Sequence, residues 1–244
     1  MSVTHRHTKP APDFARPYTT VDVVIFTILE QSLKVLLVQR PAHPDDPFPN
    51  LWALPGGFVN VDLDADLQAC AARKLREKTA VDSPYLEQLG SWGGAARDPR
   101  GWSATHVYFA LIAGADIALT KGANAADVAW FEVDELLAAP NLAFDHSEIL
   151  ATAVERLRSK VEYTSLPAFL LNEPFTLPQL QQVYETVLGR AVDKSGFRTR
   201  MLAANFLLEA GHVEGTSNRP AMGYRLVDRS GPVVFPRTFS PRGH

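Results

Sequence analysis

The chain has 244 residues, of which 46% are apolar and 21% are charged, and its formal net charge is −3 at pH 7. This composition is typical of a globular protein with one mid-sized and one small domain. It excludes a membrane-spanning chain, because no apolar run approaches the ~18 residues that a transmembrane helix requires. The single cysteine, Cys70, excludes an internal disulfide, and we expect a cytoplasmic protein.

The charge is distributed unevenly along the chain. Residues 1–175 carry a net charge of −7, and residues 176–244 carry a net charge of +4. A basic C-terminal part on an acidic body indicates a polyanionic partner for that part alone. Basic surfaces also keep many proteins in solution, so the charge by itself does not identify the partner.

The N-terminal part begins with elements that predict a sheet. Residues 1–17 are polar and rich in proline, and we expect a flexible arm there. Residues 21–29 form a nearly continuous apolar run, which predicts a strand buried on both faces. Residues 33–40 return as its antiparallel partner. A W-x-L-P-G-G sequence then leads into residues 56–81, which predict a glycine loop followed by one helix.

This helix is amphipathic, and either Asp64 or Asp66 is expected to cap its N-terminus. Apolar residues recur at helical spacing on one side of it, and this buried face contains Leu67, Cys70, Ala71 and Leu75.

The remaining elements of this part follow in chain order. They are strands at residues 85–92, 103–112 and 128–131, and helices at residues 133–138 and 145–161. We expect one α/β sandwich spanning residues 18–162.

The turn at residues 93–102 is rich in residues that bind nucleotides. It carries Arg97, Arg100 and Trp102. Arginine binds phosphate or carboxylate in bidentate fashion, and tryptophan can stack on a base. A hairpin tip with solvated arginines is the alternative interpretation.

The C-terminal part predicts a winged helix-turn-helix domain at residues 176–244, after a proline-bounded linker at residues 163–175. Thr176 caps a first helix that ends at Gly189, and Asp193 caps a second helix at residues 194–210, ended by Gly211. The expected inner stripe of the second helix contains Phe197, Met201, Ala204 and Leu208. Strands at residues 212–214 and 223–227 would form the wing. A dimerisation or lid domain is the alternative.

Residues 73–81, RKLREKTAV, match part of the Nudix box, G-x5-E-x7-R-E-U-x-E-E-x-G-U, in which U is apolar. Arg73, both apolar positions and Glu77 agree with the pattern. Lys74 and Lys78 stand in place of glutamates, and Ala80 stands in place of the glycine. Two residues are inserted before Arg73, so the loop at residues 60–66 cannot be aligned and has no assigned role.

These replacements change the chemistry of the box. Three glutamates would carry −3, whereas Lys74, Glu77 and Lys78 together carry +1. Mg²⁺ requires several hard oxygen ligands, so this site should repel it. Ammonium groups could instead take the place of the metal beside a diphosphate. In the alternative interpretation, both lysines are merely solvated.

Together these features resemble the NrtR family of Nudix-related transcriptional regulators, over about residues 17–227. The fold class that this resemblance implies is an α/β (α+β) Nudix sandwich followed by a winged helix-turn-helix domain. It implies a homodimeric bacterial repressor of NAD biosynthesis or salvage genes, which binds palindromic operator DNA. It also implies that ADP-ribose, or a related NAD derivative, is an effector rather than a cofactor and releases the DNA. No catalytic residue and no metal site are expected.

The residues and the resemblance together predict two sets of site residues. The expected ligand-binding residues are Arg40, Gly56, Gly57, Arg73, Lys74, Glu77, Lys78, Arg97, Arg100 and Trp102. The expected DNA-binding residues are Lys194, Ser195, Arg198, Thr199 and Arg200 on the second helix, and Arg219 at the wing tip.

Two other functions are compatible with the sequence. One is an active ADP-ribose pyrophosphatase with an accessory C-terminal domain, in which Glu77, Glu87, Glu132 or loop aspartates assemble an altered metal site. The other is a ligand-binding module whose C-terminal domain contacts protein. The lysines at positions 74 and 78 argue against the first function, and the basic second helix argues against the other.

Overall fold

The computed structural model describes residues 15–81, 85–114, 119, 125–213 and 220–235. Within these ranges, the N-terminal part contains β1 (Tyr18–Leu29), β2 (Ser32–Gln39), β3 (Trp52–Ala53), β4 (Gly56–Phe58), α1 (Leu67–Thr79), β5 (Tyr85–Gly94), β6 (Ser103–Leu111), β7 (Asp127–Glu132), α2 (Val133–Ala138) and α3 (His146–Val161). The C-terminal part contains a 3-10 helix (Leu166–Leu170), β8 (Phe175–Thr176), α4 (Leu177–Leu188), α5 (Lys194–Ala203), β9 (Leu207–Val213) and β10 (Ala221–Leu226). None of the described helices is both long and apolar enough to cross a membrane.

One mixed sheet forms the centre of the N-terminal part. In the described ranges its strand order is β3-β2-β1-β6-β5, with β4 paired to β1 and β7 paired to β2. β1 and β6 run parallel, and the other pairs are antiparallel. The predicted hairpin of β1 and β2 is confirmed, with Leu29 opposite Ser32.

β1 is buried on both faces because its side chains alternate between two helices. One face packs against α1, in a cluster that includes Val21, Val23, Ile25, Cys70, Ala71 and Leu75. The other face packs against α3, in a cluster that includes Val24, Phe26, Ile149, Leu150 and Leu157. The sheet therefore lies between two helical layers, as the sequence predicts.

The cluster around α3 continues into the C-terminal part, which we call the head. The residues of the 3-10 helix Leu166–Leu170 are all buried and belong largely to this cluster. Tyr184 of α4 donates a hydrogen bond to the carbonyl oxygen of Thr164 at 2.6 Å. The linker predicted at residues 163–175 therefore contains a packed helix. The N-terminal part up to α3, which we call the body, and the head share one core.

α4 begins and ends where the sequence predicts. The hydroxyl of Thr176 accepts the N–H of Gln179, and the Gln179 side chain accepts the N–H of Thr176, which completes a capping box. Gly189 ends the helix in the left-handed conformation, with φ 67°.

The second helix of the head is shorter than predicted. α5 ends at Ala203, and the residues expected to continue it to position 210 form β9 instead. Asn205 adopts a left-handed φ of 53°, which ends the helix, and β9 then gains backbone hydrogen bonds to β10. Leu208 is consequently 55% exposed and does not join Phe197 and Met201 in the buried stripe.

The head carries a small antiparallel sheet with strand order β8-β10-β9. The predicted wing hairpin exists, but its strands are β9 and β10, so it starts earlier than the predicted residues 212–214 and 223–227. Gly211, which was expected to end a helix, lies inside β9 with φ 81°. The wing tip with Arg219 lies outside the described residues.

α1 ends in an unfavourable backbone conformation. Asp66 caps its N-terminus by accepting the N–H of Ala69 at 2.7 Å, which selects one of the two predicted caps. At the other end, Ala80 has a left-handed φ of 55°. The Nudix pattern has glycine at this position, and a Cβ atom raises the free energy of this conformation.

Replacing Ala80 with glycine should stabilise the protein, because glycine adopts φ 55° without the steric cost of a Cβ atom. We expect the free energy of unfolding to rise by about 0.5–1 kcal/mol in urea denaturation. The matched control is Gly189→Ala, because Gly189 has φ 67° and, within the described residues, open space around it. That change should lower the free energy of unfolding. A neutral Ala80→Gly variant would contradict the expected strain.

Candidate functional site

Three arginines from two loops lie close together at one end of the sheet. Arg40 follows β2, and Arg97 and Arg100 lie in the turn between β5 and β6. The guanidinium carbons of Arg40 and Arg97 are 4.9 and 5.4 Å from the centroid of the Phe144 ring. That of Arg100 is 5.8 Å from the centroid of the Phe58 ring. We call Arg40, Arg97 and Arg100 the arginine cluster.

Arg40 and Arg100 are each held by one aspartate. Arg40 donates two hydrogen bonds of 2.7 Å to the carboxylate of Asp46. Arg100 donates to Asp98 at 3.0 and 2.7 Å, and these hydrogen bonds hold the pKa of Asp98 below its usual value. The contact with Asp98, and more weakly the charge of Asp46, raise the pKa of Arg100. The two ion pairs are therefore neighbours.

Arg97 is a deeply buried member of the cluster, with 6% of its side chain exposed. Its Nε atom donates to Asp145 at 2.9 Å, and its Nη2 atom donates to Asp22 at 3.1 Å. Burial alone would raise the pKa of Asp22, but His146, Thr105 and Arg97 hold it below its usual value. Arg97 therefore links β1 to the start of α3.

His146 and Asp22 fix the loop that contains the two glycines. The Nδ1 atom of His146 accepts the N–H of Leu54 at 2.9 Å, which places the proton of a neutral ring on Nε2. Gly56 pairs with Asp22 across β4 and β1. A Cβ atom on Gly56 would lie 1.9 Å from Oδ1 of Asp22, so only glycine allows this approach.

Arg73 is occupied by carboxylates of its own loop and helix. It donates two hydrogen bonds of 2.7 Å to Asp64 and a third of 2.7 Å to Glu77. The hydrogen bonds from Arg73 hold the pKa of Asp64 well below its usual value. Asp64 does not cap α1, and its role in the unaligned loop is to anchor Arg73.

Lys74 and Lys78 flank Glu77 on α1, and we call them the lysine pair. The Nζ atom of Lys74 lies 3.8 Å from Oε2 of Glu77, and 3.1 Å from where a Cβ atom on Gly57 would be. Burial lowers the pKa of Lys78, an effect that Glu77 opposes and Lys74 reinforces. Gly57 and Phe58 are adjacent in β4, so Lys74 and Arg100 both lie beside this strand.

The carboxylates needed for an altered metal site are dispersed. Among the described residues, no group of three or more His, Cys, Asp or Glu side chains could hold a metal ion. Glu87 contacts Arg156 and Lys160 of α3, on the opposite face of the sheet from Glu77. Glu132 is paired with Lys34. Glu87 and Glu132 therefore lie away from Glu77, and the loop carboxylate of Asp64 meets Glu77 only through Arg73, which binds both.

Trp102 lies at the rim of this region. Its side chain is 51% exposed, and its ring is packed beside Gly93 of β5. Tyr18 and Phe58 are also partly exposed nearby, with their ring centroids 5.9 Å apart. The three aromatic residues provide an apolar surface beside the arginine cluster.

Sequence reasoning identified the cations of this region but missed their partners. Asp22, Asp46, Asp98 and Asp145 each hold one of the arginines, and Phe144 lies between two of them. Asp98 stands beside the arginines in the sequence and could have been paired with them. Nothing in the sequence indicates the position of Phe144, which depends on a left-handed φ of 55°.

The start of α5 presents polar and basic side chains to solvent. Asp193 caps this helix by accepting the N–H of Gly196 at 2.6 Å. Phe197 and Met201 hold it on the head. The predicted DNA-binding residues that are exposed around its N-terminal half are Lys194, Ser195, Arg198 and Thr199.

Arg200 is oriented differently from the other predicted DNA-binding residues. Its Nη2 atom donates to the carbonyl oxygen of Glu162 at 3.0 Å, and its guanidinium lies 5.1 Å from the centroid of the Phe235 ring. Arg200 is also exposed, but its guanidinium contacts the residue that follows α3 and the Phe235 ring.

Comparisons with known proteins agree with this architecture. The profile of the NUDIX domain matches residues 18–153, and the profile of the NrtR DNA-binding winged helix domain matches residues 167–226. The chain is 42% identical over 233 residues to the ADPR responsive transcriptional repressor NtrR of Acinetobacter baylyi, which covers 95% of this chain and 91% of the relative. The chain belongs to the NrtR family. The predicted fold class and family resemblance are confirmed.

Two solved NrtR structures are similar to the chain. Shewanella oneidensis NrtR complexed with a 27mer DNA is 43% identical, with a TM-score of 0.80 over 90% of this chain and 98% of that chain. The NUDIX domain of the same NrtR complexed with ADP ribose is 45% identical, with a TM-score of 0.54 over 62% of this chain and 94% of that chain.

Replacing Asp64 with asparagine should destabilise the protein by roughly 1 kcal/mol at pH 7, because Arg73 loses one of its two charged partners. The pKa of Asp64 in the folded state lies below the reference value of 3.8. Its stabilising contribution is therefore present above that value and is lost as the pH falls below it. Urea denaturation should show a difference between wild type and variant that shrinks on acidification. The control is Asp62→Asn on the same loop, and a pH-independent difference would contradict the pairing.

Proposed function

We propose that this protein is a transcriptional repressor of NAD biosynthesis or salvage genes, and that ADP-ribose or a related NAD derivative releases it from operator DNA. The observation that carries this proposal is the 42% identity, over 95% of the chain, to a relative named as an ADPR responsive transcriptional repressor. The arginine cluster and the lysine pair in the body, and the basic start of α5 in the head, support separate binding sites for the two ligands.

The effector site is proposed to lie along β4, between the lysine pair and the arginine cluster. A diphosphate carries several oxygens that guanidinium and ammonium groups can bind together. Arg40, Arg97, Arg100, Lys74 and Lys78 would supply these groups. Arg73, which binds both Asp64 and Glu77, would support the site from α1. Gly56 and Gly57 would leave room for the ligand, and Trp102 would contact it from the rim.

The same arrangement supports binding without hydrolysis. Glu77 is already engaged by Arg73 and lies near Lys74, so a dication would have to displace cations to reach it. An ammonium group beside Gly57 can neutralise a diphosphate but cannot activate water as a bound metal does. An active ADP-ribose pyrophosphatase is the alternative, and the match of residues 18–153 to the NUDIX domain favours testing it.

The DNA-binding surface is proposed to be the exposed start of α5 together with the wing. Lys194, Ser195, Arg198 and Thr199 would contact the major groove, and Arg219 would contact the minor groove. Arg200 would contact DNA only after its guanidinium releases the carbonyl oxygen of Glu162. A homodimer would place two such helices on a palindromic operator in the cytoplasm.

The proposed domain boundaries place these two binding sites in separate domains. We propose that residues 18–162 bind the effector, that residues 163–175 connect the domains and that residues 176–244 bind DNA, after an N-terminal arm at residues 1–17. The winged helix profile begins at residue 167, inside the connecting segment, which agrees with the packing of that segment into the head.

The decisive experiment measures operator binding and ADP-ribose integrity in the same sample. Promoter DNA from NAD biosynthesis genes of the source bacterium should bind specifically, and ADP-ribose should reduce this binding. Effector affinity should not change in a metal chelator, and ADP-ribose should remain intact with Mg²⁺ present, because the lysine pair replaces the metal. Hydrolysis of ADP-ribose without specific DNA binding would instead establish the pyrophosphatase function.

Replacing Arg198 with alanine should weaken operator binding while leaving ADP-ribose binding unchanged, because Arg198 lies on the exposed face of α5. A phosphate contact predicts a salt dependence reduced by about one unit in log–log slope, and a base contact predicts a loss of roughly 1–3 kcal/mol. Fluorescence anisotropy of a labelled operator measures both quantities. Arg76→Ala, an equal charge change on α1 of the body, is the control, and equal effects of both changes would exclude a specific contact.

A further inference from the structure

The first turn of α3 is strained and incompletely hydrogen-bonded. Phe144 precedes it with φ 55°, a left-handed conformation that bulky residues rarely adopt. Asp145 occupies the N-cap position, but its side chain accepts no hydrogen bond from the helix. Among the described residues, Oδ1 of Asp145 is buried without a hydrogen-bond partner, and Nε2 of His146 has only Oδ2 of Asp22 nearby, at 3.5 Å. A second arrangement of this turn could satisfy these groups.

Arg97 holds the carboxylate of Asp145 away from the helix. Its Nε atom binds Oδ2 of Asp145, its Nη2 atom binds Asp22, and its Nη1 atom makes no hydrogen bond within the described part of the chain. An aspartate at an N-cap normally accepts a backbone N–H of the first turn. Arg97 also lies beside the Phe144 ring. Because Arg97 is the partner of Asp145, an anion that enters the arginine cluster would compete with Asp145 for this guanidinium.

α3 connects this turn directly to the head. The helix has 16 residues and spans about 24 Å. Near its other end, Arg158 donates to the carbonyl oxygen of Val187 in α4 at 3.1 Å. Glu162, which follows the helix, accepts from Arg200 of α5 through its carbonyl oxygen and from Arg190 through its side chain. A shift of α3 therefore moves the contacts that orient α5.

We propose that Asp145 is the positioning residue that links occupation of the effector site to the orientation of the DNA-binding helix. In the state described above, Asp145 binds Arg97 and leaves the first turn of α3 uncapped. A phosphate of the effector takes the place of the carboxylate on Arg97. Asp145 then caps α3, and the helix and the head settle into the second arrangement. This inference rests on the proposed effector and operator, and it adds the residue that couples them.

The proposal predicts that the variant Asp145→Asn binds the effector more tightly than wild type. An effector changes an equilibrium only through its different affinities for two states, and this carboxylate disfavours the occupied state. Asparagine removes the competing charge and is still a good N-cap residue. ADP-ribose should therefore bind roughly threefold to tenfold more tightly, although a merely damaged site would bind it less tightly. Operator binding without effector should weaken, and the change caused by ADP-ribose should shrink by a similar factor.

The test uses the full chain as wild type, Asp145→Asn and two further variants. Asp145→Glu keeps the carboxylate and should retain most of the coupling. Glu148→Gln is the matched control, because it removes one negative charge from the same turn of α3, where Glu148 accepts from Trp92 at 3.1 Å and binds no residue of the arginine cluster. It should leave both affinities at their wild-type values. Thermal unfolding checks that every variant is folded.

Three measurements decide the outcome. Calorimetry gives the ADP-ribose affinity, and anisotropy gives the operator affinity with and without saturating ADP-ribose. Hydrogen exchange without any ligand reports the first turn of α3, where Asp145→Asn should slow the exchange of backbone amides because the turn becomes capped. This third measurement tests the inference even if wild type fails to bind operator or ADP-ribose, which would overturn only the proposed function.

The inference is overturned if Asp145→Asn behaves as wild type in effector affinity and coupling. Weaker ADP-ribose binding by a normally folded Asp145→Asn variant would also overturn it, because Asp145 would then be a ligand contact or a purely structural residue. Unchanged hydrogen exchange in the first turn of α3 would exclude the capping step.

Discussion

The burial of α3 between the sheet and the head is the constraint on which the rest of the structure depends. Its apolar face joins the core that contains Val24 and Phe26 of β1 and continues through the 3-10 helix Leu166–Leu170. The start of α3 lies among the arginines of the body, and its end contacts α4 and α5. Because protein interiors are closely packed, neither end can shift alone, and α3 mechanically connects the arginine cluster to the head.

Around this element the charges are compensated pair by pair. Asp46, Asp98 and Asp145 hold the three arginines, and Asp64 holds Arg73, the arginine that this chain shares with the Nudix pattern. Lysines flank the remaining glutamate of the box. The fold is therefore that of a Nudix domain, while its central helix carries lysines at two positions where the Nudix pattern has glutamates.

Elements fixed by local signals were predictable from the sequence, and elements fixed by distant partners were not. The apolar run of β1 and the caps Thr176 and Gly189 act over a few residues. The end of α5 depends on pairing between β9 and β10, which overrides the helical preference of Leu207 and its neighbours. The arginines of the candidate site were identified by residue type, but their orientations depend on aspartates far away in the chain.

The pairing of the arginines with aspartates would also affect which anions bind to the arginine cluster and how fast they arrive. Because each guanidinium already has a carboxylate, the region exerts little net long-range attraction, and diffusing anions are not steered toward it. A small monovalent ion such as chloride or acetate gains too few contacts to displace a bidentate carboxylate. A molecule with several adjacent phosphate oxygens can displace more than one carboxylate at once. If the arginine cluster binds the effector as proposed, its aspartates would make binding selective for oligophosphates over the simple anions of a cell.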